Sequence, residues 1–262
     1  MVVCAAMTTD DSLFGLAGKV ALVTGGSRGI GRSIVLAFAR AGADVAVVSR
    51  DGARCEEVAA EVRALGRKAA GYGLDLSSEP AIVDAFERCD RDLGAPTVAV
   101  HCAGVGMGAP AVSLARAQYQ AMLDLHFLGG VTVAQQLAKR AMGKDGALLF
   151  ETSIWGLGGQ RMMSAYGGAK AAIVNLTQTL AVEWARMGIR VNAIAPGLVE
   201  TTMTEPLLSD GPTRDKMVRS VPMGRAATPD EMAGAALFLC SKAASYVTGH
   251  VLVADGGVTA TP

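Results

Sequence analysis

The sequence predicts an α/β fold: a parallel sheet of seven strands with helices on both faces. Three observations carry that prediction. Short runs rich in β-branched and apolar residues alternate with longer stretches of helical periodicity from end to end. Several of those runs are apolar at every position, as strands covered on both faces require. No linker, repeat or low-complexity segment divides the chain, and its 262 residues suffice to bury one sizeable core.

Residues 19–24 are the first β-rich run, and Gly25 to Gly31 is a glycine-rich turn opening a helix that carries Ile34, Val35 and Phe38 on one face. After Gly42, Val45 to Val48 is the second strand, and the mixed charges from Asp51 to Leu65 mark a helix. Strand 68–75, helix 77–93 and strand 97–103 follow; then a long helix over 113–142, strand 146–152, helix 164–187, strand 190–195, helix 228–241 and a last strand over 250–254. The rhythm breaks once. Leu198 to Pro222 holds Pro206, Pro212 and Pro222 and no long periodic stretch, so it is expected to be a lid or substrate loop, with plain disorder as the alternative. Residues 1–14 are expected as a flexible extension and 15–262 as one domain.

Hydrophobic residues at 51% and charged residues at 18% exclude a largely disordered chain. A formal net charge of zero, with no Lys/Arg run, leaves nucleic acid without electrostatic support as a partner. No apolar run reaches the roughly 18 residues of a membrane span, so a membrane is not an expected partner either. Cys4, Cys55, Cys89, Cys102 and Cys240 are odd in number and lack metal-ligand spacing. They read as reduced thiols of a cytoplasmic protein, with Cys102 as a small core residue and no metal site. Met1 to Asp11 lacks the basic region and long apolar segment of a signal peptide.

Two stretches carry chemistry. Thr24-Gly25-Gly26-Ser27-Arg28-Gly29-Ile30-Gly31 follows a strand and opens a helix. Glycines there let backbone approach a pyrophosphate, whose charge the helix N-terminus stabilises. Further on, Ser153 precedes Tyr166, and Lys170 stands one helical turn beyond it, so phenol and ammonium share a face. A free tyrosine titrates near pH ~10 and is a poor proton carrier at neutrality. The Lys170 charge is expected to lower its pKa toward the working range.

These residues together resemble the short-chain dehydrogenase/reductase family, in the branch of 3-oxoacyl-carrier-protein reductases and gluconate 5-dehydrogenases. The resemblance runs over roughly residues 15–258. It implies a doubly wound Rossmann fold and reversible hydride transfer between a nicotinamide and a carbonyl carbon. Ser153 would orient the carbonyl oxygen, Tyr166 would protonate it, and Lys170 would tune the tyrosine and hold the nicotinamide ribose. Cofactor contacts are implied at Gly25, Ser27, Arg28, Gly29, Ile30 and Gly31 in the turn, and at Asp75 and Leu76 after the third strand. Others are implied at Ala103 and Gly104 after the fourth, and at Pro196, Gly197, Val199 and Thr201 after the sixth. Asp255-Gly256-Gly257 also fits the pattern, and a homo-tetramer built partly on helices 113–142 and 164–187 is implied.

The end of the second strand bears on cofactor choice. A carboxylate there would hold the ribose 2′-hydroxyl of NAD, whereas a 2′-phosphate needs cations. The chain has Ser49 at that place, then Arg50, with Arg28 in the turn. An arginine fork suits phosphate, so NADPH/NADP is expected over NAD. Asp51 is read as the cap of the next helix.

Two positions depart from the family. His126 fills the place of an asparagine that holds a water behind the lysine; it is read either as a structural histidine or as a relay that titrates near neutrality. His101 replaces the first asparagine of the N-N-A-G motif, here His101-Cys102-Ala103-Gly104, and should affect rigidity more than chemistry. Loops 105–110, 154–163 and 198–222 would flank the substrate. They carry Met107, Trp155, Met162, Met163 and Met203, which suit an apolar ketone or alcohol over a sugar, unless the methionines are plain core. Arg161 would meet an anionic group or water. A 3-oxoacyl-carrier-protein reductase is the close alternative. A dinucleotide-binding sensor or scaffold with impaired catalysis is the alternative from another class.

Overall fold

Seven parallel strands form one sheet in the order β3-β2-β1-β4-β5-β6-β7 in the computed structural model, which describes residues 13–261. The strands are β1 (Val20–Thr24), β2 (Asp44–Ser49), β3 (Ala69–Gly73), β4 (Val98–His101), β5 (Gly146–Glu151), β6 (Ile189–Pro196) and β7 (Val251–Ala254). The helices are α1 (Gly29–Arg40), α2 (Gly52–Ala64), α3 (Glu79–Asp92), α4 (Arg116–Met122), α5 (Gly129–Ala141), α6 (Ser164–Trp184), α7 (Glu205–Leu208), α8 (Gly211–Arg219) and α9 (Pro229–Cys240). The order reverses between β1 and β4, which opens the crevice above the strands' carboxyl ends where ligands of such sheets bind.

Alternation along each strand sends side chains to two cores. On one face Val23, Val45, Val47 and Leu149 pack with Ile34, Val35 and Phe38 of α1 and with Met232, Ala236 and Leu239 of α9. On the other, Leu22, Val48, Leu148 and Phe150 pack with Phe86 of α3, Leu137 of α5 and Ile173 of α6. Phe38 and Phe86 are fully buried, so truncating either to alanine would cost about 3–5 kcal/mol. Asp51 caps α2 as expected, its carboxylate accepting from Arg54 N at 3.1 Å.

Two elements differ from expectation. The helix predicted over 113–142 is three pieces: Leu123–Leu128 form a π-helical turn between α4 and α5. Gly129 and Gly130 follow, and a Cβ on Gly130 would crowd Ile173 and the His101 ring at 3.1 and 3.2 Å. The helix therefore presses closely on β4, and the widened turn accommodates it. The segment 198–222 is not a structureless loop, since it contains α7 and α8. Asp210 caps α8 by accepting from Thr213 N at 3.2 Å, with Pro212 in the first turn where its missing N–H costs nothing. Of the extension expected over 1–14, the first twelve residues, Cys4 among them, lie outside the described residues. Leu13 is docked, its carbonyl accepting from Ala243 N at 2.8 Å.

Candidate functional site

The glycine-rich turn is shaped by missing side chains. Gly25 (φ +69°) faces the Cys102–Ala103 peptide so closely that a Cβ would lie 2.8 Å from it. A Cβ on Gly31 would overlap the Gly25 carbonyl. Arg28, at the N-cap of α1, makes no side-chain cap bond, and no acidic residue occupies the first turn. The leading N–H groups of α1 therefore face the crevice without a side-chain partner, as a bound phosphate would need.

Ser49 Oγ bonds Ser27 Oγ at 2.9 Å and reaches Cys55 Sγ at 3.1 Å, joining the end of β2 to the turn. Arg28 and Arg50 are exposed, and Asp51 is engaged by Arg54 at 3.3 Å. Uncommitted cations without a carboxylate at Ser49 fit a 2′-phosphate better than a ribose diol. Asp75 turns back on Ser77, whose N and Oγ it accepts at 3.1 and 2.9 Å; these bonds hold its carboxyl below the usual range. Leu76 beside it is buried.

Beyond β6, a Cβ on Gly197 would strike Asp255 at 2.7 Å, so the Asp255-Gly256-Gly257 turn closes against Pro196-Gly197. Val199 is buried and bridges Ala227. Thr201 then reaches back to the glycine turn, its Cγ2 3.4 Å from where a Gly29 Cβ would stand. A crevice of about 570 Å³ lies beside this contact, lined by Glu205, Arg214 and Arg225 among others; it does not include Ser153, Tyr166 or Lys170.

Ser153, Tyr166 and Lys170 are brought together and buried, with 7%, 8% and 3% of their surface exposed. Ser153 leaves β5 extended and accepts from Trp155 N at 3.2 Å. Lys170 is fixed from two sides: its Nζ donates to the Glu151 carbonyl at 2.8 Å, and its own carbonyl accepts from Thr152 Oγ1 at 2.8 Å. The ammonium stands 5.6 Å from the Tyr166 ring centre. The tyrosine's net direction corrects the expectation. Burial pushes the Tyr166 phenol above its ordinary range, and the opposing pulls of Lys170 and Ser153 do not overcome it in the chain alone. A further positive charge beside the phenol is what would bring it down.

The two histidines are tied into the same wall. His101 Nε2 bonds the Leu125 carbonyl at 3.2 Å, so it carries the proton, and Nδ1 is left to accept from the Thr24 hydroxyl at 3.1 Å. This links β1, β4 and the π-helical turn, as the rigidity reading of His101 expects. His126 packs edge-on against Tyr166, centroids 5.5 Å apart, with Nε2 3.0 Å from the Val105 carbonyl. Its Nδ1 is buried without a partner among the described residues. Burial, then the Lys170 charge, lower the His126 pKa to about 2, which contradicts a relay titrating near neutrality. Gly104 is the space this ring occupies: a Cβ there would lie 3.0 Å from Nδ1.

The flanking loops meet one another. Ala109 N donates to the Met162 carbonyl at 2.9 Å, with Met162 held at φ +68°. Met203 Sδ reaches within 3.0 Å of a Gly106 Cβ position. Met162 and Met203 are 44% and 47% exposed and so are not core, whereas Met107 packs against the small cluster of Met122, Ala165 and Ala169. Trp155 stands edge-on to Tyr166 at 6.2 Å, and Arg161 is exposed. Sequence reasoning missed the carboxylate of Glu151, which accepts from the Cys102 thiol; Cys102 is half-buried and packs against the core on the face of α1 and α9.

Comparison with known proteins finds relatives over nearly the whole chain. A family model described as enoyl-(acyl carrier protein) reductase matches residues 25–259. A 2-dehydro-3-deoxy-D-gluconate 5-dehydrogenase of Pseudoalteromonas atlantica is 37% identical over 246 residues, 93% of this chain and 97% of that one. A 3-oxoacyl-[acyl-carrier-protein] reductase of Aquifex aeolicus is 35% identical over 93% of this chain and 98% of its own. The crystal structure of a gluconate 5-dehydrogenase from Burkholderia cenocepacia, in complex with NADP and tartrate, superposes with a TM-score of 0.90. It is 30% identical and covers 95% of this chain and 98% of that one.

Proposed function

The chain belongs to the short-chain dehydrogenase/reductase family, and from that premise we propose that it is an NADP(H)-dependent oxidoreductase acting on a carbonyl or secondary-alcohol carbon. The observation that carries this reading is that Ser153, Tyr166 and Lys170 are buried together beyond the carboxyl end of β5, on the edge of the sheet where β1 also leads into the uncapped N-terminus of α1. When bound, the cofactor would supply or take the hydride. The leading N–H groups of α1, at Gly29, Ile30 and Gly31, would hold its pyrophosphate, with Gly25 and Ser27 shaping the turn. Arg28, Ser49 and Arg50 would hold the 2′-phosphate, with Asp75 and Leu76 on the adenine side. Ala103, Gly104, Pro196, Gly197, Val199 and Thr201 would line the nicotinamide side, and Tyr166 and Lys170 would hold its ribose.

Ser153 Oγ donates to the substrate oxygen, and the Tyr166 hydroxyl passes its proton to that oxygen on reduction. Lys170 stabilises the phenolate that remains. His126 serves this step by packing, as a neutral ring that fixes the face of Tyr166. Residues 15–262 act as one domain, with 198–222 as the substrate loop.

Met107, Trp155, Met162, Met163 and Met203 favour a substrate with an apolar body. A second reading, 3-oxoacyl-carrier-protein reductase, is favoured by Lys216 and Arg219, exposed one turn apart on α8 as a small basic patch that suits an acidic carrier. Following cofactor absorbance against ketones, acyl thioesters and sugar acids separates these readings. Cofactor binding without turnover of any of them would favour the sensor reading.

We also propose a cytoplasmic homo-tetramer. The four described cysteines are unpaired, and no described helix is long and apolar enough to cross a membrane. Val182 on α6 is 83% exposed, and Leu123 and Leu128 beside α5 are also open, as apolar faces awaiting a second copy would be. Light scattering on the purified chain tests it; a monomer would contradict it.

A further inference from the structure

Two glycines in the segment after β4 are each covered by a methionine from a different loop. A Cβ on Gly106 would lie 3.0 Å from Met203 Sδ and 3.2 Å from its Cγ. A Cβ on Gly108 would lie 3.3 Å from Met163 Cε. Neither glycine has a positive φ, so the backbone there would admit a side chain, and the two thioethers take its place. Met107, between them, packs on Met122, Ala165 and Ala169 and anchors the segment to α6.

Both methionines are presented by fixed backbone. Met203 belongs to a turn closed by Thr204 Oγ1, which donates to the Val199 carbonyl at 2.5 Å and accepts from Thr201 N at 3.0 Å. Met163 is the N-cap of α6, its carbonyl accepting from Gly167 N at 2.6 Å. Each also stands next to the proposed chemistry. Met163 precedes Tyr166 by three residues, and Met203 follows by two residues Thr201, which meets Gly29. Gly104, at the inner end of the segment, lies against His126, whose ring packs on Tyr166. The contacts of Met203 with Gly106 and of Met163 with Gly108 therefore join the three flanking loops, outward from the tyrosine. A thioether has free torsions and no hydrogen-bond donor, so it fills space against apolar groups and yields to their shape.

We propose that Met203 and Met163, seated on Gly106 and Gly108, are the specificity-determining pair of the site. They form the outer wall of the substrate pocket, set its width, and select a carbonyl compound with an apolar body over a polyhydroxylated one. The proposal rests on the carbonyl chemistry proposed for Tyr166, and its sign is definite. Shortening either methionine widens the pocket, and adding a methyl group to its glycine pushes the thioether inward.

The test measures kcat and KM for NADPH-dependent reduction of cyclohexanone and of the bulkier menthone. Met203→Ala and Met163→Ala are each expected to raise the kcat/KM ratio of menthone to cyclohexanone by about fivefold or more, through KM, with the NADPH Kd nearly unchanged. Gly106→Ala is expected to lower that ratio. Adding M203A to G106A should restore the M203A value, since Met203 is all that a Cβ there would meet within 4 Å. Alanine at half-exposed Met203 removes little packing, so this arm stands even if M163A misfolds. Ratios unmoved by the methionine variants, or effects of G106A and M203A that simply add, would overturn the proposal. Methyl NMR of the methionine-labelled chain with NADPH, titrated with cyclohexanone and with 5-ketogluconate, decides without turnover. Shifts of the Met163 and Met203 methyls that saturate at a lower concentration of cyclohexanone uphold the pair even where no ketone is reduced, a result that defeats the functional reading alone. The reverse order, or no shift with either compound, overturns it.

Discussion

The turn between β1 and α1 and the wall formed by β4, β5 and α6 stand at the same carboxyl end of the sheet and are built on opposite plans. The turn works by absence: Gly25 and Gly31 leave room for backbone to meet backbone, and the α1 N-terminus is left uncapped. The wall works by presence: Lys170, Tyr166 and two histidines are packed together, and burial shifts the ionisation of several of them. A site of the first kind fails when atoms are added, and one of the second when charge is changed.

The sharpest way to break that contrast is to add one methyl group to the turn. Gly31→Ala would force a Cβ into the Gly25 carbonyl. It is expected to cost about 1–3 kcal/mol of stability and to raise the cofactor Kd at least about tenfold. Thermal melts and fluorescence titration with NADPH check this, and a variant that binds normally would mean the turn relaxes freely.

Charge at the rim of the turn has a smaller effect. Arg50→Ala is expected to lower kcat/KM for NADPH relative to NADH by about tenfold, the value of one charge-assisted hydrogen bond. An unchanged ratio removes Arg50 from that role.

The smallest effect is expected inside the wall. His126 is neutral throughout the assay range because its pKa is lowered to about 2. His126→Asn should therefore retain activity and leave the pH profile of kcat/KM unmoved between about pH 5 and 9. A displaced limb would return His126 to the proton path.

Much of this arrangement was legible before folding. Apolar runs located all seven strands to within a few residues, most plainly β2, β4 and β5, which are covered on both faces; β6 was found although Arg190 and Asn192 interrupt it. Asp51 reads as a cap from its place ahead of Gly52–Ala64. The π-helical turn at Leu123–Leu128 was not legible, since one extra residue per turn barely disturbs a periodicity that continues on both sides. Nor were α7 and α8, too short to show a pattern, each with a proline in its first turn.

The site was legible where residue type alone defines the chemistry, as with Tyr166 and Lys170. It was not legible where burial decides ionisation. Tyr166 lies above its ordinary range and His126 below because of what surrounds them, and spacing along the chain carries no record of that. Glu151 left one faint signal, an acid closing an apolar strand.

The central claim is that Tyr166 carries the proton for hydride transfer to a carbonyl. Stopped-flow measurement of NADPH consumption with a reactive ketone from the panel, in wild type and Tyr166→Phe, tests it most directly. The account predicts that the variant loses about 10²–10⁴-fold in rate while its NADPH Kd changes far less. Turnover of the phenylalanine variant at the wild-type rate would contradict it.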